Sequence, residues 1–145
     1  MEDVRAVLQQ MTKRFGLLNK TCCSVGAVEV TLIQSHILYE VDRQHQPSIQ
    51  QIAETLGTEI TTFSRQVQTL VDKNLLTRTP YAEDRRIQIL SLTTEGKFVA
   101  TAIDERMNMY LDQVFSQMND FEKETVIRSL KLLNESMSKV SSSCC

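Results

Sequence analysis

The chain has 145 residues, 41% of them hydrophobic and 23% charged, with a formal net charge of −2, which bounds it to one ordinary globular domain. No apolar run is long enough to span a membrane and no signal-peptide pattern is present, so a cytoplasmic protein is expected. The acidic total gives no global sign of nucleic acid. With no nucleophile–base pair, no phosphate-cradling glycine loop and two histidines far apart in sequence, no ordinary enzyme is expected.

Residues 2–19 read as a helix. Val4, Leu8, Met11, Phe15 and Leu18 recur at alternating spacings of four and three, a seam suited to another helix. Residues 27–43 read as a second helix, mostly buried through Val28, Val30, Leu32, Ile33, Ile37, Leu38 and Val41. His36 lies on it, either as polar lining of a ligand pocket or as a satisfied, partly buried side chain. His45 falls in a polar loop.

Ser48 to Thr94 is the stretch with the clearest plan. Ser48 and Gln51 have capping-box spacing, with Pro47 just before them. Ile49, Ile52, Ala53 and Leu56 share one face, and Gly57 can close the helix in the left-handed conformation. Thr58 is expected to cap the next helix, running to about Lys73, with Ile60, Phe63, Val67, Leu70 and Val71 as its buried stripe. Its other face shows Thr61, Thr62, Ser64, Arg65, Gln68 and Thr69, side chains that can reach base edges and phosphates. Asn74 can end this helix. Leu75–Thr79 and Ile87–Leu92 then read as two strands around a turn over 80–86. The charged tip, Glu83, Asp84, Arg85 and Arg86, suits an arginine entering a minor groove, held by an acidic neighbour. Two helices and a charged hairpin make a winged helix-turn-helix, mainly α with a small β-hairpin wing. Arg65, Lys73, Arg78, Arg85 and Arg86 all lie in this reading head, so the local field can oppose the total charge. The acids gather later, at Asp104, Glu105, Asp112, Asp120, Glu122 and Glu124.

The tail reads as two helices. The first runs over 94–118 and carries Phe98, Ala102, Ile103, Met107, Tyr110, Leu111, Val114, Phe115 and Met118. Asn119 and Glu122 fit a capping box, and Phe121, Val126, Ile127, Leu130, Leu133, Met137 and Val140 form the last stripe. A lone chain of this length has little core against which to bury three such stripes. Interleaving the terminal helices of two copies would bury them.

Asp84-Arg85-Arg86, Leu90, Leu92-Thr93 and Glu95-Gly96-Lys97 resemble the wing signature of the MarR family of bacterial regulators. Ile52-Ala53, Leu56-Gly57, Ser64-Arg65, Val67 and Leu70 are similar to its upstream pattern. Asn74 departs from the family's usual glycine, and Ile87 and Ile89 stand where outward polar residues are usual, as if something covers that strand face. The resemblance implies a single domain over 1–145, with 1–26 and 95–145 as intertwined dimerisation helices and 27–94 as the DNA-binding lobe. It implies a two-fold homodimer on double-stranded DNA at a near-palindromic operator, with half-sites about one helical turn apart. Arg86 would be the minor-groove residue and Asp84 its orienting partner. Arg85 would contact phosphate, and Thr62, Ser64, Arg65 and Gln68 bases or phosphates, with Thr58, Thr61 and Arg78 beside them. The implied function is a transcriptional repressor released by a signal, which could be a small molecule in a pocket that His36 helps to line. A winged-helix dimer that binds proteins instead is the alternative.

The four cysteines form two adjacent pairs, Cys22-Cys23 and Cys144-Cys145. Neither pair has zinc-finger spacing. An adjacent pair bridges only through a strained ring, so pairing between the two sites is the more natural geometry. Three readings stay open: thiols without function, a sensor of oxidant or electrophile, and thiolates that bind a soft metal or trivalent arsenic. A thiol oxidoreductase is the one enzymatic reading the cysteines leave open, and it would need a depressed thiol pKa.

Overall fold

Three side-chain caps set where the helices begin. The computed structural model describes residues 3–15 and 23–140, as α1 (Val4–Phe15), α2 (Leu32–Arg43), α3 (Ile49–Leu56), α4 (Ile60–Asp72), β1 (Leu76–Pro80), β2 (Gln88–Leu92), α5 (Thr94–Phe115) and α6 (Asp120–Ser138). Thr31, Ser48 and Asn119 each accept a backbone N–H three residues on, while Gln34, Gln51 and Glu122 reach back to the cap N–H. Each reciprocal pair satisfies two donors that the first turn leaves open, worth about 1 kcal/mol per cap.

The Thr31 cap corrects the expected start of the second helix. Residues 27–31 are not helical. Val25 and Val28 exchange backbone hydrogen bonds of 2.9 and 3.0 Å around Gly26, whose φ is +59°. The buried Gln34 side chain takes the Thr31 N–H on its oxygen and donates its amide to Gln66 Oε1 at 3.1 Å, tying α2 to α4.

The next helix also starts later than expected. Gly57 takes φ +63°, and the Thr58 N–H donates back to the Ala53 carbonyl at 3.0 Å. The Thr58 backbone is thereby used to close α3. Glu59 becomes the cap of α4, without a side-chain hydrogen bond, and the Thr58 hydroxyl turns to the Leu56 carbonyl. Asn74 ends α4 with φ +62°, in the left-handed conformation its sequence context called for. The Leu75 N–H then closes on the Leu70 carbonyl, so β1 opens at Leu76, one residue later than the sequence indicates.

β1 and β2 pair antiparallel, from Leu76 opposite Leu92 to Pro80 opposite Gln88. Ile87 belongs to the turn, where its N–H donates to the Asp84 carbonyl and its own carbonyl accepts from Tyr81. Ser48 bridges Ile89, and the Leu90 N–H donates to the Pro47 carbonyl at 2.8 Å, so the entry to α3 lies along β2. Ile89, half-buried, is accounted for in this way.

The core gathers Val30, Ile37, Leu38, Ile52, Phe63, Val67, Leu70, Leu75, Leu76, Leu90 and Val99 around α2, α3, α4, the hairpin and the start of α5. Fully burying each such side chain contributes about 1.5–3 kcal/mol before entropy is subtracted. Ile60 is not among them. It is 48% exposed, against the expected buried stripe, because it is the first residue of α4 and projects past the packed turns.

The chain divides into two compact units, Met1–Glu105 and Arg106–Cys145, and the division falls within α5. α1 and α6 bury no residue. On α1, Val4, Val7, Leu8, Met11 and Phe15 are all exposed; on α6 Phe121 reaches 78%, and Val140, just past its end, 64%. Phe98, expected in the apolar stripe of α5, is 68% exposed, while Val99 and Ala100 are the buried residues of that turn. No described helix is long and apolar enough to cross a membrane.

Candidate nucleic-acid interface

The wing tip presents one arginine in a fixed pose. Arg86 Nε donates to Asp84 Oδ1 at 3.0 Å and Nη2 to Oδ2 at 3.1 Å, a two-pronged pair on one carboxylate. The Arg86 backbone N–H adds a third bond to Oδ1 at 3.1 Å. Asp84 is half-shielded, whereas the Arg86 side chain is 90% exposed. The side-chain bond from Arg86, then the backbone bond, hold the Asp84 carboxyl below its ordinary range. The same side-chain bond raises Arg86 further. In water such a pair adds little stability. What it supplies is orientation of a planar cation at an exposed tip.

α4 shows the polar face expected of it. Thr61, Thr62, Arg65 and Gln68 are exposed and Ser64 is half-buried. Gln68 is held at both ends: its oxygen accepts from Arg78 Nη2 on β1, and its amide donates to Asp72 Oδ1 at 2.8 Å. The structure thus brings Gln68 and Arg78 together and ties the helix to the wing. Lys73 is also committed, its ammonium donating to the Glu29 carbonyl. Arg65 and Arg85 stand exposed on the helix and the wing tip respectively. Thr58 is half-buried at the joint between α3 and α4.

A cleft of about 280 Å³ lies where α3, α4 and the wing meet. Gln50, Ile60, Ser64, Arg86, Ile87 and Gln88 line it, so Ser64 of the helix and Arg86 of the wing share one recess. Sequence reasoning missed Ile60 here. The periodic pattern marks it as apolar, but its place at the very start of α4 was the available sign that it would not be covered. The tie between Gln68 and Asp72 was visible as an (i, i+4) amide–carboxylate pair.

His36 is exposed on α2 and does not line this cleft. It is also absent from a second cleft of about 480 Å³ between the end of α2, β2 and the start of α5, which the Lys97–Asp42 ion pair of 2.6 Å borders. Cys23 is buried in the core, 5% exposed, with its N–H donating to the Val30 carbonyl. Cys22, Cys144 and Cys145, the other candidate thiols, lie outside the described residues.

Two helices joined by a left-handed glycine, followed by a hairpin with an arginine at its tip, define the winged helix-turn-helix class. Within that class, a model of the MarR family matches residues 30–88. Solved structures agree over nearly the whole chain. Streptococcus pneumoniae FabT in complex with DNA superposes with a TM-score of 0.80 at 15% identity, covering 94% of this chain and 98% of that one. The S. aureus MepR–DNA complex gives 0.78 at 23% identity over 93% and 99% of the two chains. The PcaV transcriptional regulator from Streptomyces coelicolor gives 0.77 at 18% identity over 96% and 100%. These likenesses show the fold. No curated protein matches the sequence.

Proposed function

We propose that this chain is a homodimeric, sequence-specific DNA-binding transcriptional regulator, a repressor that a signal releases. The observation that carries the reading is the Arg86–Asp84 fork, an oriented and exposed cation at the wing tip beside the polar face of α4. The α4 helix enters the major groove through Thr61, Thr62, Ser64 and Arg65, with Gln68 beside them braced between Arg78 and Asp72, and Arg86 enters the adjacent minor groove. Residues 27–94 are the reading lobe in this account, and 1–26 and 95–145 supply the dimer. Support for the dimer comes from α1 and α6, which carry apolar stripes with no buried residue. Two-fold symmetry gives a near-palindromic site. The DNA complexes of FabT and MepR, folds of the same kind, support the partner class. The reading places the protein in the cytoplasm, with its DNA.

The release signal we assign to thiol chemistry at the two cysteine pairs, by an oxidant or by a soft metal or trivalent arsenic. Cys23 packs in the core beside Val30 at the entry to α2, so an adduct formed there when the lobe opens would disturb it.

The test is binding of the reduced protein to its own upstream DNA across a salt series. Affinity should fall steeply and linearly in log–log form as counterions are released. Binding that ignores salt and sequence would leave the protein-interaction dimer as the reading. Arsenite and peroxide arms, with Cys22→Ser/Cys23→Ser and Cys144→Ser/Cys145→Ser proteins alongside, test the signal. Release by one reagent that either double substitution abolishes supports the thiols. Retention under both reagents refutes them.

A further inference from the structure

Two isoleucines stand exposed in an otherwise polar reading head, Ile60 at 48% and Ile87 at 39%. They come from different elements, the first turn of α4 and the end of the wing turn, yet both line the 280 Å³ cleft. Single exposed apolar residues are ordinary; two facing one recess ask for an occupant. Arg86, Ser64, Gln50 and Gln88 line the same recess. A cation and neutral hydrogen-bonding groups beside apolar walls match a sugar–phosphate strand. Its phosphate oxygens can accept from Ser64, Gln50 and Gln88, with the Arg86 cation at the rim, and its sugar presents a C–H face to the isoleucines. The position agrees. With α4 in the major groove and Arg86 in the minor groove, one backbone strand must pass between them, and the cleft lies there.

We propose that this cleft seats the DNA strand that separates the two grooves, and that Ile60 and Ile87 grip the deoxyribose at C2′. The proposal rests on the DNA-binding reading above and adds a selection to it. A ribose at that position would press a 2′-hydroxyl against two isoleucines and strip it of water without a partner. The site therefore takes deoxyribonucleotides and rejects ribonucleotides at one point on each half-site.

The experiment uses the full-length dimer and a duplex it binds, with single ribonucleotides walked through one half-site. Wild type should lose about tenfold in affinity at one sugar, the scale of one buried polar group left unpaired. The Ile60→Thr/Ile87→Thr protein should bind all-DNA duplex about tenfold more weakly, as expected when a few buried apolar groups are lost. Its salt dependence should be unchanged, and the ribonucleotide should cost it nothing further. The Ile60→Val/Ile87→Val protein should recover both properties. Arg86→Ala, in contrast, should lower the salt slope by about one. A ribonucleotide walk without effect on wild type overturns the proposal, even if the Thr protein fails to fold. So does a Thr protein that binds as wild type does. If wild type shows no salt-dependent DNA binding at all, the regulator reading fails first and the cleft assignment falls with it.

Discussion

Gly96 lies so close to Leu75 that a Cβ built on it would sit 1.9 Å from the Leu75 carbonyl oxygen. That oxygen also accepts the Thr93 N–H at 3.1 Å. The Thr93 hydroxyl donates to the Asn74 carbonyl at 2.6 Å and accepts the Gly96 N–H at 2.9 Å. The first turn of α5 is thus docked, backbone to backbone, on the joint where α4 becomes β1. Gly96→Ala should destabilise the protein by about 3 kcal/mol, since the obstacle is main chain and cannot rotate away. Urea unfolding with an unchanged slope would check it. A Gly96→Ala protein as stable as wild type would show that the joint gives way easily.

The Asp84–Arg86 pair has a pH signature. Its folded carboxyl pKa lies below the ordinary 3.8, because Arg86 donates to it from side chain and backbone. A lowered pKa means that the ordering is fully present above the ordinary value and fades as pH falls through the folded one. The wing should therefore keep its pose throughout the neutral range and lose it only in strong acid. An NMR titration of the Asp84 carboxyl carbon should give a midpoint below 3.8 in wild type. In Arg86→Ala the midpoint should move up towards the ordinary value. Identical midpoints in the two proteins would show that the fork does not persist in solution.

Much of this was legible in the sequence where chemistry is local. Ser48 with Gln51, Asn119 with Glu122, Gly57 and Asn74 mark their helix ends through side-chain bonds and left-handed backbone that depend on a few neighbours. The Asp84–Arg86 fork joins residues two positions apart and was readable for the same reason. Elements fixed by distant partners were misplaced. Nothing near 27–31 announces the Val25–Val28 bridge, and Thr58 looks like a cap until its N–H is needed at Ala53. Periodicity also says which residues are apolar but not whether anything arrives to cover them, so Ile60 and Phe98 were assigned to stripes and stand exposed.

Gln68 acts as a strut between α4 and the wing. Its oxygen takes Arg78 and its amide gives to Asp72, so it is not free to read a base without breaking one of these bonds. Gln68→Ala should leave unfolding within about 0.5 kcal/mol of wild type, as for an exposed site. DNA affinity should nevertheless fall, together with that of Arg78→Ala, and the double substitution should cost less than the two single losses added. Additive losses would mean that the two residues act on DNA separately.

Burial on the terminal helices gives the sharpest test of assembly. α6 carries Leu130, Leu133 and Met137 at 42%, 38% and 55% exposure, and α1 carries Leu8 and Met11 at 40% and 46%. A dimer that covers these stripes should not survive a charge placed in them, because an unpaired carboxylate cannot be buried cheaply. Leu133→Glu should therefore sediment as a monomer at concentrations where wild type is a dimer. The reading lobe has its own core around Phe63 and Leu70, so it should stay folded. Operator affinity should fall by about 100-fold or more, since each lobe then binds a half-site without the other's help. Lys131→Glu, on an exposed residue outside that stripe, is the control and should leave the dimer intact. A Leu133→Glu protein that remains a dimer would move the interface away from α6, and a wild type that is monomeric would leave the two-fold operator without a basis.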